Sequence, residues 1–235
     1  MIKIKVELVD YTPDGINKIA RLARATRLSE IERKELEPDI STPGILKWGE
    51  TDETKTKNEN FVKALIKVKH LGILEHINFT FHVSEISRVT SHQLVRHRIG
   101  FSYLQMSNRH AKPKMNDYVL PQSIKNRDSL LTNGRDKKIE HRYRLNMMSC
   151  WEDYNWMIKN GVPIEDARYV LPPAFFTHIS ITCNARSLLH FLELRLDRSA
   201  QAEIRELACK LFDAVYELYP IIFESVKELR DNANL

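Results

Sequence analysis

The chain has 235 residues, 43% hydrophobic and 29% charged, a composition that suits one substantial buried core and excludes a disordered or collagen-like chain. Lys and Arg number 36 against 31 Asp and Glu, and this net charge of +5 favours anionic partners. Apolar runs stop well short of the ~18 residues that cross a bilayer, the three cysteines make no Cys-x-x-Cys pair, and the seven glycines fall in no Gly-x-Gly-x-x-Gly or Walker pattern.

Residues Met1 to Val9 lack a signal-type apolar core, which gives the expectation of a cytoplasmic protein. Within them Ile2 to Val9 reads as a strand with Ile2, Ile4, Val6 and Leu8 on one face, and Gly15 to about Leu36 carries helical periodicity. Glu37 to Asn60, with Pro38, Pro43, Gly44 and Gly49, reads as a flexible loop. Phe61, Ala64, Leu65 and Val68 then mark a helix that Gly72 can end. His76 to Ser84 alternates cleanly, placing Ile77, Phe79, Phe81 and Val83 on one side of a strand. A helix from about Thr90 to His97 follows, and Lys112 to Asp136 reads as connecting structure, a second flexible candidate. Tyr143, Met147, Trp151, Tyr154 and Ile158 recur at helical spacing. Phe176 to Asn184 alternates again, with Ile179, Ile181 and Cys183 on its apolar side. Helices are expected from about Ala185 to Leu196 and from about Ala200 to Leu229. Strands set singly among long helices predict an α+β fold, a small and mostly antiparallel sheet covered by helices, with residues 1–235 forming one domain.

Two clusters carry chemistry. Arg96-His97-Arg98 is followed by eight residues, then Ser107, Asn108 and Arg109, with Gln93 one turn upstream. At ~100° per residue Arg96 and Arg98 cannot share a helical face, so their side chains converge only where the helix ends. Such guanidinium groups suit a phosphate or pyrophosphate clamp, and a solvated basic turn is the alternative. The second cluster lies on the helix from Ala185, which is apolar around nearly its whole girth and is therefore expected to be buried. Arg186, His190, Glu193 and Asp197 stand in one stripe along it, to be satisfied by a ligand, an internal salt-bridge network or a subunit contact. Other chemistries lack support. His76 and His82 stand about 20 Å apart on their strand face, too far to share a metal, and Cys183 belongs to the apolar side. With neither metal nor evident nucleophile expected, a bound cofactor becomes the candidate for the difficult step.

Arg96-His97-Arg98, eight residues, then Ser107-Asn108-Arg109 resembles the signature of the flavin-dependent thymidylate synthases. The likeness continues in HLGILEHINFTF from His70, ARYVLP from Ala167, NARSLLHFLELR from Asn184 and AQAEIR from Ala200, together covering most of residues 60 to 215. The resemblance implies a homotetramer with active sites at subunit interfaces, converting dUMP to dTMP with methylenetetrahydrofolate as carbon donor and NADPH reducing a bound FAD. No nucleic-acid or membrane partner is implied.

Carried over residue by residue, the resemblance assigns FAD to Gly72, Arg96, His97, Arg98, Gln105, Asn184, Ala185, Arg186 and His190. It assigns dUMP to Gln93, Leu94, Val95, Arg96, Gln105, Met106, Ser107, Asn108, Arg109, Arg168 and Arg195, with Arg109 and Arg168 toward the phosphate. Arg195 is the implied catalytic residue, polarising the pyrimidine so that C5 becomes nucleophilic without a covalent protein adduct. Three positions depart from the family's commonest pattern. Gln105 stands where an acid is frequent, Gly72 where a small hydroxyl residue is, and His110 where a tyrosine is. A nucleic-acid binder stacking bases on Phe101 and Tyr103 would not need the polar-striped apolar helix. A sensor that kept the site without turnover is the remaining alternative.

Overall fold

Strict alternation of apolar and polar side chains builds the sheet on which the other elements rest. The computed structural model describes residues 4–26, 52–107, 113–125, 127 and 139–233. Its four strands are β1 (Lys5–Tyr11), β2 (Asn78–Ser87), β3 (Phe101–Gln105) and β4 (Phe176–Asn184), all antiparallel in the order β1-β2-β4-β3. On one face of the central pair Phe79 opposes Cys183, Phe81 opposes Ile181 and Val83 opposes Ile179, and all six are buried. The other face is polar, and there Thr80 and Thr182 hydroxyls meet at 3.0 Å. One apolar face and one polar face specify the register, because a slip of one residue would expose the whole apolar set.

Helices cover the apolar face. Among the described residues they are α1 (Gly15–Ala25), α2 (Asp52–Lys67), α3 (Arg88–Leu94), α4 (Ile139–Lys159), α5 (Ile164–Ala167), α6 (Ala185–Arg195), α7 (Ala202–Tyr216), α8 (Pro220–Phe223) and α9 (Lys227–Asn232). Ile19 from α1, Val62 from α2, Leu188 and Leu192 from α6 and Ile204, Leu207 and Leu211 from α7 share a single core with the sheet. Helix α4 instead packs on residues 113–125, donating from Tyr143 Oη to Val119 O at 2.7 Å and from Trp151 Nε1 to Pro113 O at 3.1 Å. That segment is tied to the start of β4 by Phe176 N to Asp117 O at 2.8 Å.

The α+β expectation agrees with this architecture, and several boundaries differ for identifiable reasons. The loop expected over 37–60 is helical from Asp52 onward. Its first nine residues, DETKTKNEN, contain no apolar residue to display a period, but they lack Gly and Pro and carry a Lys57–Glu53 ion pair one turn apart at 2.6 Å. Residues 27–51 lie outside the described part, as do Ile2 and the expected end of the first helix near Leu36. The helix expected to reach Leu229 stops at Tyr216 and restarts at Pro220, whose ring removes a backbone donor and turns the preceding residue away from helical geometry. Strand β2 runs on to Ser87 through a bulge between Val83 and Ile86, where Glu85 sits at φ 60°. Strand β3, five residues long at the sheet edge, was too short for its alternation to stand out.

Gly100 joins α3 to β3 at φ +69°, and a Cβ there would lie 2.2 Å from Ser187 Oγ and 2.4 Å from Asn184 Nδ2. Gly100→Ala should therefore cost about 2 kcal/mol or more through backbone strain and overpacking. Urea denaturation checks this, and a loss under about 0.5 kcal/mol would contradict it.

Candidate functional site

The arginine turn is built from both of its ends. Helix α3 is seven residues long, too short to hold itself together in isolation, so its caps set its direction. Ser87 Oγ accepts from Thr90 N at 3.1 Å, while Ser87 N and Oγ donate to Glu203 Oε1 and Oε2, each at 2.6 Å. Glu203, on the first turn of α7, is 2% exposed, and its carboxylate sits where the amides of α3 begin. At the far end Leu94 is buried in the core. Tyr103 on β3 shares its hydroxyl hydrogen between Leu94 O at 2.9 Å and His97 O at 2.6 Å. Burial raises the Tyr103 phenol well above its ordinary range, so it remains a donor.

The turn so held lies along α6. Arg195, its last residue, donates from Nε to His97 Nε2 at 3.1 Å. The His97 ring stands edge-on to Phe191 with centroids 4.9 Å apart, and Phe101 lies 6.2 Å away. Burial, then the positive charge of Arg195, then His190 lower the His97 pKa to about 4. The imidazole is neutral at ordinary pH, and an accepting Nε2 places its hydrogen on Nδ1. Arg96 and Arg98 flank it, both exposed. At the other end of α6, Asn184 Oδ1 caps the helix by accepting from Ser187 N at 2.9 Å, and Asn184 N donates to Gly100 O at 3.1 Å. Ala185 is buried, its N–H donating to Ile77 O at 2.8 Å. The expectation that α6 is buried all round is corrected here. Arg186, His190, Glu193 and Asp197 are exposed, Arg186 pairs with Glu75 at 2.6 Å, and His190 lies 3.7 Å from Glu193.

Beyond Tyr103, Gln105 Nε2 donates to Ser91 Oγ at 3.0 Å and to Thr177 Oγ1 at 3.1 Å. Its amide thereby ties β3 to α3 and β4. Half-buried Met106 accepts at its carbonyl from Arg88 Nη2 at 3.2 Å, and Ser107 is exposed. Burial, and then the charge of Arg168, lower the Arg88 pKa, so Arg168, whose Nε donates to Glu165 O at 2.9 Å, bears on the same region. Gln93 and Val95 are half-buried on and just after α3. Gly72 lies in a short 3-10 turn, Leu71–His76, with open space where a side chain would be. Asn108, Arg109 and His110 lie outside the described residues. Among those described, no three His, Cys, Asp or Glu side chains gather as a metal site, and no helix is long and apolar enough to cross a membrane.

Three residues of this framework escape the sequence reading. Glu203 reads as an ordinary acid in a first helical turn, Tyr103 as an aromatic beside arginines, and Arg88 as one more basic residue. Only contacts with other elements and turns reveal them.

Residues 7–221 match the family profile of the thymidylate synthase complementing proteins. A flavin-dependent thymidylate synthase of Saccharolobus solfataricus is 40% identical over 223 residues, covering 94% of this chain and 76% of that protein. One of Geobacter sulfurreducens is 35% identical over 222 residues, covering 94% and 85%. The crystal structure of the UMP/dUMP methylase PolB from Streptomyces cacaoi with 5-Br dUMP superposes with TM-score 0.73 at 24% identity, covering 96% and 95%.

Removing Glu203 strands the Ser87 N–H and hydroxyl in a buried site, so Glu203→Ala should cost about 3 kcal/mol by chemical denaturation. A loss below about 1 kcal/mol would show the clamp to be slack. His97 gives a pH test. Between its unfolded value of 6.5 and its folded value of about 4, the unfolded chain binds a proton that the folded chain refuses. Its contribution therefore lowers stability as pH falls through that window and levels off below it. His97→Gln should lose less of its melting temperature between about pH 7 and about pH 5 than the unsubstituted protein. Equal losses would contradict the depressed value.

Proposed function

Because the chain belongs to the thymidylate synthase complementing protein family, we propose that it is a flavin-dependent thymidylate synthase methylating dUMP to dTMP, with methylenetetrahydrofolate as carbon donor and NADPH reducing FAD. The observation that carries this reading is the Arg195 guanidinium held by a neutral His97 beside Arg96 and Arg98. The donor set fits a dinucleotide bearing a pyrophosphate, because exposed guanidinium groups pair with phosphate oxygens through parallel hydrogen bonds. Arg96, His97, Arg98, Gln105, Asn184, Ala185, Arg186 and His190, with Gly72 nearby, would hold FAD. When bound and reduced, FAD supplies the hydride of the reaction.

For dUMP the binding set is Gln93 to Arg96, Gln105 to Arg109, Arg168 and Arg195. Leu94 is buried in the core and its carbonyl accepts from Tyr103 Oη and His97 N, so its share is to fix the turn that carries the others. Arg168 and Arg109 take the phosphate. Arg195 stabilises negative charge developing at N3 and the neighbouring carbonyl oxygen of the uracil, which raises the nucleophilicity of C5. Burial raises the thiol pKa of Cys150, Cys183 and Cys209 alike, in keeping with a route that needs no cysteine adduct.

The active unit is a homotetramer whose sites form between subunits, each chain acting as one catalytic domain in the cytoplasm. Exposed apolar side chains beside the arginine turn support that assembly: Ile99 is 90% exposed, Leu104 76% and Leu194 48%.

Purified protein supplied with dUMP, methylenetetrahydrofolate and NADPH should carry FAD and form dTMP. Arg195→Ala should keep its flavin absorbance while dTMP formation falls about 100-fold or more. A protein that binds no FAD, or a variant with unchanged turnover, would overturn the reading.

A further inference from the structure

The resemblance places His97 against the flavin, yet the imidazole Nε2 is directed into the chain, onto Arg195. A guanidinium has one Nε–H and two Nη groups in a rigid plane. When Nε–H is engaged, the orientation of that plane is restricted and the Nη groups are left as paired donors. Among the described residues the side-chain hydrogen bond that Arg195 makes is this one, to His97. The acceptor is itself fixed, its ring edge-on to Phe191 at 4.9 Å and its carbonyl bonded by Tyr103 at 2.6 Å.

We propose that His97 is a positioning residue for Arg195, its unprotonated Nε2 accepting the Nε–H and so presenting the Nη groups to the pyrimidine. The inference rests on the functional reading above and deepens it. Nδ1–H remains available to a second partner, so a flavin contact and this task are compatible. The low pKa of His97 keeps the acceptor in place, since a protonated ring would have only donors to offer a cation.

Two substitutions separate the roles. His97→Gln places a carbonyl oxygen near the position of Nε2, and His97→Phe keeps the aromatic edge on Phe191 while deleting the acceptor. In the flavin-loaded enzyme, His97→Phe should lower kcat about 100-fold, the scale of loss when a reacting group is misplaced. With FAD supplied at saturation, KM for dUMP should stay within about twofold, and His97→Gln should recover to within about tenfold of the unsubstituted kcat. Nitrogen-15 NMR of the histidine-labelled protein at neutral pH should show Nε2 without a proton and Nδ1 with one, a readout that does not depend on turnover. A proton on Nε2, unchanged kcat in His97→Phe, or loss of FAD in parallel with kcat in both variants would overturn the assignment. Absence of dTMP formation by the unsubstituted enzyme would instead defeat the functional reading, with the NMR result still deciding the hydrogen bond.

Discussion

The arginine turn can lie on helix α6 only because residue 100 carries no side chain. A Cβ there would stand 2.2 Å from the Ser187 hydroxyl and 2.4 Å from the Asn184 amide, and the backbone takes the left-handed φ of +69° that glycine tolerates. Everything chemical follows from that approach. With Gly100 seated on the cap of α6, β3 pairs with β4 from Phe101 opposite Cys183 to Gln105 opposite Ile179. The residues just before it, Arg96 to Arg98, are swung alongside the helix that ends in Arg195. The hydrogen bond between Arg195 and His97 spans 98 positions of sequence, and it closes at 3.1 Å because this turn is fixed.

The site shows a division of labour. Framework side chains are buried or half-buried and hydrogen-bonded: Glu203 to Ser87, Tyr103 to two carbonyls, Gln105 to Ser91 and Thr177. Residues free to meet a ligand, Arg96 and Arg98, are exposed at the surface that these clamps define. A buried carboxylate is expensive, and an apolar side chain of similar volume would often cost less. Glu203 supplies what such a residue would not, two acceptors aimed at the point where the chain leaves β2 for α3. Rigid support of this kind suits a group that must meet developing charge without reorganising.

Much of this was legible in the sequence, and the reasons for the remainder are physical. The central strands were readable because both alternate over a full strand with one buried face, and β4 matches its expected span, Phe176–Asn184, throughout. The arginine signature was readable as a motif of residue types, though its geometry was not, since the turn depends on Gly100 and the short strand after it. Helix α6 misled. Leu194 made its girth look wholly apolar, whereas in the single chain that residue and the polar stripe face outward. Periodicity distinguishes an apolar face from a polar one, but it cannot separate a face covered by its own chain from one left for a partner. Glu203 and Tyr103 stayed hidden because their partners, at positions 87, 94 and 97, belong to other elements. Helical spacing carries no sign of such pairings.

The central claim is that Arg195, oriented from within its own chain by His97, faces a uracil beside a flavin. A crystal structure of the FAD-loaded protein with dUMP tests it most directly. The account predicts the pyrimidine ring within hydrogen-bond reach of the Arg195 Nη groups, with the contact from Nε to His97 preserved. A nucleotide bound elsewhere, or an Arg195 guanidinium turned into solvent while dUMP occupies its site, would contradict it.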